Sequence, residues 1–203
     1  MILPSAELRW FSPGNLPADI LAWFDREQAG LEKRTDSYVA LKGTNVVGVK
    51  IRDGKLEVKA LTKGPSEVHL PGDVIGQLEH WTKWSLDVDG KSAFNDAVRS
   101  SAPVIDLEKK RRLVKYASHP SGPQRVPVER HIEAGCNVEL TALQISTQQC
   151  WTFGFEAFGD TNLDDTLLST ARLVFAQANV GAALRSAICQ SYPAWIAALG
   201  ESN

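Results

Sequence analysis

Cysteine, histidine and methionine are scarce in this chain of 203 residues, at three, four and one. Cys136, Cys150 and Cys189 are odd in number and form no CxxC pair. That excludes a disulfide scaffold and points to a reducing, cytoplasmic compartment. His69, His80, His119 and His131 show no zinc-ligand spacing, with each other or with the cysteines. No apolar run approaches the roughly 18 residues that span a bilayer, so no membrane partner is expected. The opening MILPSAELRW has no basic segment followed by a long apolar one, so no secretory leader is expected. A surplus of one charge is missing as well. The 22 Lys and Arg against 24 Asp and Glu leave −2, and nothing global calls for nucleic acid. What remains is an ordinary globular composition, 43% hydrophobic, of a length that suits a single domain over 1–203.

The even balance hides a segregation. Residues 42–63 carry Lys42, Lys50, Arg52, Lys55, Lys59 and Lys63 against Asp53 and Glu57. Residues 105–130 carry Lys109, Lys110, Arg111, Arg112, Lys115, Arg125 and Arg130 against Asp106, Glu108 and Glu129. The rest of the chain keeps 9 basic and 19 acidic groups. Two basic stretches in an acidic surround are either solvated strand faces or a local anion site.

Hydrophobic periodicity predicts a strand at Ala6–Phe11, a helix from Pro17 to about Gln28, and strands between Tyr38 and Leu61. Pro65 to Gly76 reads as a loop. Strands follow at Leu78–Leu86, Val104–Tyr116, Val126–Ile132, Asn137–Ile145 and Cys150–Phe158. Two helices close the chain over about 163–199, Leu163–Asn179 and Ala183–Leu199, with Pro193 kinking or restarting the second. The class is α+β. Trp10, Trp23, Trp81 and Trp84 read as core.

Asp53-Gly54 between alternating runs favours a two-residue hairpin turn. The register then opposes Arg52 to Lys55, Lys50 to Glu57 and Gly48 to Lys59. Val47, Val49, Ile51, Leu56, Val58 and Ala60 share one face. The cationic face lies in water or lines a barrel lumen. In the last hairpin, a connection at Ser146–Gln149 sets Leu140 across from Phe155 and Glu139 across from Glu156. Two opposed carboxylates repel unless water screens them or a cation sits between them. A register shift of two leaves them diagonal neighbours. Cys136 and Cys150 do not oppose each other, so no disulfide is expected there.

Together these residues resemble the CYTH, or triphosphate tunnel metalloenzyme, superfamily. Ser5-x-Glu7-x-Arg9 stands where that family has an opening E-x-E-x-K strand. Gly48-Val49-Lys50-Ile51-Arg52, Leu56-Glu57-Val58-Lys59 and Leu107-x-Lys109-x-Arg111 resemble its basic strands. Val138-Glu139-Leu140-Thr141 and Phe155-Glu156-Ala157 resemble its closing acidic hairpin. Ser191-Tyr192-Pro193-Ala194-Trp195-Ile196 is similar to its C-terminal Ser-Tyr pair and apolar helix.

The resemblance implies an eight-stranded antiparallel β-barrel or tunnel with a charged lumen and helices packed outside. An antiparallel sheet with one face under three helices is the alternative fold. Implied too is metal-dependent hydrolysis of a triphosphate, inorganic or on a small organic carrier, with Mg²⁺ or Mn²⁺. Glu7, Glu139 and Glu156 would be the catalytic, metal-holding carboxylates, with Glu57 a further candidate. Arg9, Lys50, Arg52, Lys59, Lys109 and Arg111 would bind phosphate, although Lys110 and Arg112 would replace the last two after a one-residue shift of face. Glu79 and Lys83 either face inward or form an exposed ion pair. Ser5 departs from the family's first Glu, and that keeps a second class open: a non-catalytic polyphosphate- or nucleotide-binding module.

Overall fold

In strand β1 (Ile2–Pro13) neighbouring side chains go to opposite worlds. Ala6, Leu8 and Trp10 enter the hydrophobic core, while Ser5, Glu7 and Arg9 are buried among charges. The computed structural model that shows this describes residues 2–52, 54–88, 91–160 and 162–201, the side chains of Lys91, Ser92 and Glu201 excepted. After β1 come helix α1 (Ala18–Arg26), β2 (Gly30–Val39), β3 (Val47–Arg52), β4 (Lys55–Leu70) and β5 (Val74–Asp87). Helix α2 (Lys91–Ser101), β6 (Val104–Ala117), β7 (Gln124–Val126), β8 (Gly135–Ile145) and β9 (Gln148–Phe158) follow. The chain ends with α3 (Leu163–Gln177), α4 (Gly181–Arg185), β10 (Ile188–Cys189) and α5 (Tyr192–Glu201).

Eight strands pair antiparallel in the order β1-β5-β4-β3-β2-β6-β8-β9. β9 then pairs with β1, from Ser5↔Phe158 to Pro13↔Cys150, and closes the barrel. Closure removes the open edges that a sheet this long would otherwise expose. β7 and β10 are short additions on β6 and β1. The hydrophobic core lies outside the barrel wall. Helices α1 and α3 cover the outward residues of β1, β6, β8 and β9 and α4 those of β5, with Ile20, Trp23 and Phe24 from α1 and Leu167, Ala171 and Val174 from α3. The rings of Phe24 and Phe153 stand 6.3 Å apart and those of Phe155 and Phe175 6.5 Å apart across this layer.

The β3–β4 hairpin has the expected register, Arg52↔Lys55, Lys50↔Glu57 and Gly48↔Lys59. Gly54 takes φ +73°, while Asp53 lies outside the described residues. Other expectations are corrected. Pro65 to Gly76 is no loop, because β4 and β5 continue through it as a long hairpin. Gly64-Pro65 falls at a bulge, where the register shifts between Lys63 and Ser66 and a proline costs no ladder bond. Strand β2 begins at Gly30 rather than near Tyr38, and α2 fills a stretch without an expected element. The expected strand Val126–Ile132 reduces to β7, which Pro127 ends. The final helix is two helices with β10 between them, and Pro193 sits in the first turn of α5, where its missing N–H costs nothing.

The last hairpin turns on Ser146-Thr147 and pairs Ile145 with Gln148. The register is therefore shifted by two from the expected one. Leu140 faces Phe153, Glu139 faces Gly154 and Glu156 faces Asn137, which leaves the two glutamates diagonal. The three cysteines are free thiols.

Candidate functional site

The inner face of the barrel carries charges that neutralise one another in clusters. Deepest is Asp36 on β2, fully buried. Lys109 Nζ lies 2.9 Å from its carboxylate, Arg34 Nε 3.2 Å and Lys50 Nζ 3.6 Å. Burial alone would push the Asp36 carboxyl up, but Lys109, Lys50 and Arg34 outweigh it and hold it well below the usual range. Burial dominates at Lys109 instead and brings its ammonium down to about 7, despite Asp36 beside it. Lys109 donates to Tyr38 Oη at 2.8 Å, and its Nζ lies 3.9 Å from the Tyr192 ring centre and 4.8 Å from that of Tyr38. Tyr192 also meets the Arg9 guanidinium, at 5.0 Å.

A second cluster centres on Glu139 of β8. Arg9 Nη2 donates to it at 2.9 Å and Arg111 Nη1 at 2.7 Å. Burial opposes its charge, yet the two guanidinium groups keep it ionised and far below the usual carboxylate pKa. Arg9 reaches across Gly154, the register partner of both Arg9 and Glu139. A Cβ on Gly154 would come within 2.8 Å of the Arg9 Cζ. Glycine is needed here for space. Arg9 Nε and Nη1 and Arg111 Nε are buried donors without an acceptor among the described residues.

Glu7 forms the third cluster. Lys59 Nζ lies 2.5 Å from it, and Ser5 Oγ donates to its other oxygen at 2.9 Å. Ser5 thus supports Glu7 from two residues earlier on β1. Burial raises the Glu7 pKa, and Lys59 and Arg9 bring it net below the ordinary value. Its register neighbours are Glu156 on β9 and Glu79 on β5. Both are pushed up, Glu156 by burial and then by the charges of Glu7 and Glu139, Glu79 by burial above all. Glu156 has no ion-pair partner among the described residues. Further along the barrel, Glu57 pairs with Lys50 at 3.0 Å and Arg52 at 2.9 Å, and Glu32 with Arg111 at 2.6 Å and Arg34 at 2.8 Å.

All nine expected site residues, Glu7, Arg9, Lys50, Arg52, Lys59, Lys109, Arg111, Glu139 and Glu156, therefore lie on the inner face. The parity of β6 is settled for Lys109 and Arg111: Lys110 is exposed, and Arg112 reaches Asp25 outside at 3.4 Å. The three carboxylates do not converge on one point, because Glu139 is turned to arginines. Among the described residues no group of three or more His, Cys, Asp and Glu is placed to hold a metal ion. Glu79 and Lys83 follow the inward parity of Glu7 and Lys59, their register partners, rather than forming an exposed pair. Trp10 and Trp23 are core as expected. Trp81 instead lines the lumen with Lys59 Nζ 4.7 Å from its ring centre, and Trp84 is exposed. Arg34, Asp36, Tyr38 and Tyr192 were not among the expected site residues. The signal for the first three is a period-two alternation of charge, not of hydrophobicity, through Glu32-Lys33-Arg34-Thr35-Asp36-Ser37-Tyr38.

No protein-family model matches this sequence, and no curated protein does. Among solved structures, the chain is similar to HpAC1 of Hippeastrum, a candidate adenylyl cyclase with a dominant triphosphatase activity (9% identity, 98% of this chain and 96% of that one covered, TM-score 0.47). It is also similar to a candidate adenylate cyclase of Bacillus halodurans (10%, 85% and 90%, TM-score 0.43). A third likeness is to the Pct1 RNA triphosphatase of S. pombe, solved with the Spt5 CTD (10%, 91% and 80%, TM-score 0.39). The closed eight-stranded barrel with helices outside, which the CYTH resemblance implies, is the fold this chain has, and its own strand pairing establishes it.

Proposed function

We propose that this chain is a divergent triphosphate tunnel protein that binds a triphosphate in its lumen and hydrolyses a phosphoanhydride bond of it. The observation that carries this is the set of buried guanidinium donors on Arg9 and Arg111, without protein acceptors, inside a closed wall that also bears Lys50, Arg52, Lys59 and Lys109. Buried donors want acceptors, and phosphate oxygens would supply them through charge-assisted hydrogen bonds. Phosphoryl transfer passes through a loose transition state whose charge spreads over phosphate oxygens, so fixed cations around it lower the barrier. Glu139 acts in this proposal by aiming Arg9 and Arg111, not by holding metal.

Glu7 and Glu156 suit Mg²⁺ or Mn²⁺: they are adjacent oxygen donors, and the second is a half-buried carboxylate without an ion-pair partner among the described residues. Such ions take one or two carboxylates and complete their shell with phosphate oxygens and water. Bound there, the ion would supply Lewis-acid polarisation of the phosphoryl group and acidify its water. Lys59 and Ser5 keep Glu7 ionised and oriented for that role.

One observation favours binding without turnover. Glu7, Glu57 and Glu139 already have cationic partners. Phosphate release from tripolyphosphate and nucleoside triphosphates, with and without Mn²⁺, separates the two. Metal-dependent release that Glu156→Gln abolishes, with tripolyphosphate affinity kept or raised, is the outcome expected of the enzyme. Affinity indifferent to EDTA and steeply weakened by salt, without release between pH 6 and pH 10, is the outcome expected of a binding module.

A further inference from the structure

We infer that residues 127–134 form a strap across the inner side of the barrel at the end away from α5, that Lys115 latches it, and that its opening sets how fast a ligand enters and leaves. The kinetic part rests on the proposal that the lumen takes triphosphates. The latch does not.

Lys115 follows Lys109 and Arg111 along β6 and shares their inward parity, about 20 Å further along the strand than Lys109. Those two pair with buried carboxylates, Asp36 and Glu139. Among the described residues Lys115 has no carboxylate partner. Its ammonium donates instead to the backbone carbonyls of Val128 and, at 3.0 Å, of Arg130.

The strap meets inward positions of two more strands. On β2, Gly30 has the parity of Arg34 and Asp36, and a Cβ there would stand 3.8 Å from Val128 Cγ2. On β8, Gly135 has the parity of Glu139, and a Cβ there would fall 2.8 Å from Ile132 Cδ1. Gly30 pairs with Leu113 in the ladder, and Leu113, apolar at an inward position, is only 8% exposed. Val128 therefore lies inside the wall at this pair. Leu113 is in turn the register partner of Glu139, so the strap borders the Arg9–Glu139–Arg111 cluster.

Little else fastens the strap. Pro127 opens it and has no N–H to donate. Among the described residues its backbone bonds are a turn from Arg130 N to Pro127 O at 3.1 Å and, at its end, Ser118 N to Ala134 O at 3.2 Å. Val128, Ile132 and Ala134 are half-buried, while Glu129, Arg130, His131 and Glu133 are exposed. A segment with few buried apolar contacts opens at a cost well below that of global unfolding. The two charge-assisted bonds from Lys115, each about twice as strong as a neutral one, are what hold it shut. Without them the strap lifts while the barrel stays closed by its own β1–β9 ladder.

Amide hydrogen exchange on the full chain tests the latch. Lys115→Met is expected to speed exchange over residues 128–134 at least about tenfold, with β8 and β9 unchanged within about twofold. Strap exchange that stays within about twofold overturns the latch. So does an equal rise over the whole barrel, which would make Lys115 a support of the fold at large. Should Lys115→Met not fold, Val128→Gly carries the same expectation from the strap's side, with the cation left in place. Surface plasmon resonance with tripolyphosphate and Mn²⁺ tests the kinetic part. Association and dissociation should both quicken at least about fivefold in the loosened variant, with Kd kept within about threefold. Unchanged rates in a variant whose strap has loosened overturn the gate and leave the triphosphate proposal standing. Absence of tripolyphosphate binding to the unmodified chain sinks that proposal and the gate together, and amide exchange still decides the latch.

Discussion

On β1 and β9, residues one step apart do opposite work. Leu8, Trp10, Phe153 and Phe155 face out under α1 and α3, fully buried, and each contributes on the order of 1.5–3 kcal/mol by leaving water. Glu7, Arg9 and Glu139 face in and are also buried, but their desolvation cancels much of what their ion pairs contribute. A sheet folds on its apolar face, and in this barrel that face is outside. The inner charges thus add little or nothing to stability.

The largest expected effect comes from attacking the outer face. Phe153 contacts Trp10, Phe24 and Phe155 at ring distances of 5.2 to 6.5 Å. Phe153→Ala should lower the stability by about 3–5 kcal/mol in chemical denaturation. Tripolyphosphate affinity, measured on the fraction still folded, should stay within error. A variant that is stable but binds poorly would break the division between the two faces.

Removing one partner from the inner face is expected to cost nearly as much for a different reason. Glu139→Gln leaves Arg9 and Arg111 facing each other in a buried site without their shared counter-charge. A stranded buried charge costs about 3–5 kcal/mol. Unlike the cavity in Phe153→Ala, this loss should be repaired by ligand. Tripolyphosphate should raise the melting temperature of Glu139→Gln by more than it raises that of the unmodified chain. An equal rise in both would mean that the arginine pair does not meet the phosphates.

A smaller effect is expected where the two faces share a residue. Gly154 sits in an otherwise apolar β9 run and leaves room for the Arg9 guanidinium. Gly154→Ala should cost about 1–3 kcal/mol, the range for inserting a methyl group into a packed interior. It should weaken tripolyphosphate binding too, since Arg9 must shift. In an Arg9→Met background, where the guanidinium is already gone, Gly154→Ala should cost little further stability, and tripolyphosphate binding should stay weak.

How far all this could be read from sequence follows the same two faces. Where one face is apolar and the other charged, as in β1 and β3, alternation places the strand and its lumen residues, whereas in β6 both faces mix charged and apolar residues and only the folded strand decides between Lys109 with Arg111 and Lys110 with Arg112. In β2 it fails, because Lys33, Thr35 and Ser37 on the outer face are as polar as Arg34 and Asp36 within. No hydrophobic period exists there to see. The β3–β4 register was legible from Asp-Gly. The β8–β9 register was not, because its turn uses Ser146 at φ +50°, a conformation that glycine would have announced and serine conceals. Glu139 therefore lands opposite Gly154 rather than Glu156, and its carboxylate pairs with Arg9 and Arg111. Tyr192 was visible only as part of a motif. That it caps Lys109 depends on packing between the two ends of the chain.

The last and smallest prediction concerns Lys109, the most buried cation of the inner face among the described residues. Burial brings its pKa down to about 7 from an ordinary 10.5. Between those values the unfolded chain holds a proton that the folded chain has released, so the unfolded state binds more protons. Stability therefore rises as pH goes up through this window, by at most about 1.4 kcal/mol per pH unit from this group. Below pH 7 both states hold the proton and the contribution is flat. Thermal unfolding from pH 7 to pH 9 should show the rise in the unmodified chain and a reduced one in Lys109→Met. Tripolyphosphate affinity should move the other way, weakening over the same interval as the ammonium loses its charge, and Lys109→Met should flatten that slope while lowering affinity at pH 6.5. If affinity and stability rise together with pH, Lys109 is not a cation of the binding site, and the deep end of the lumen belongs to the packing of α5 alone.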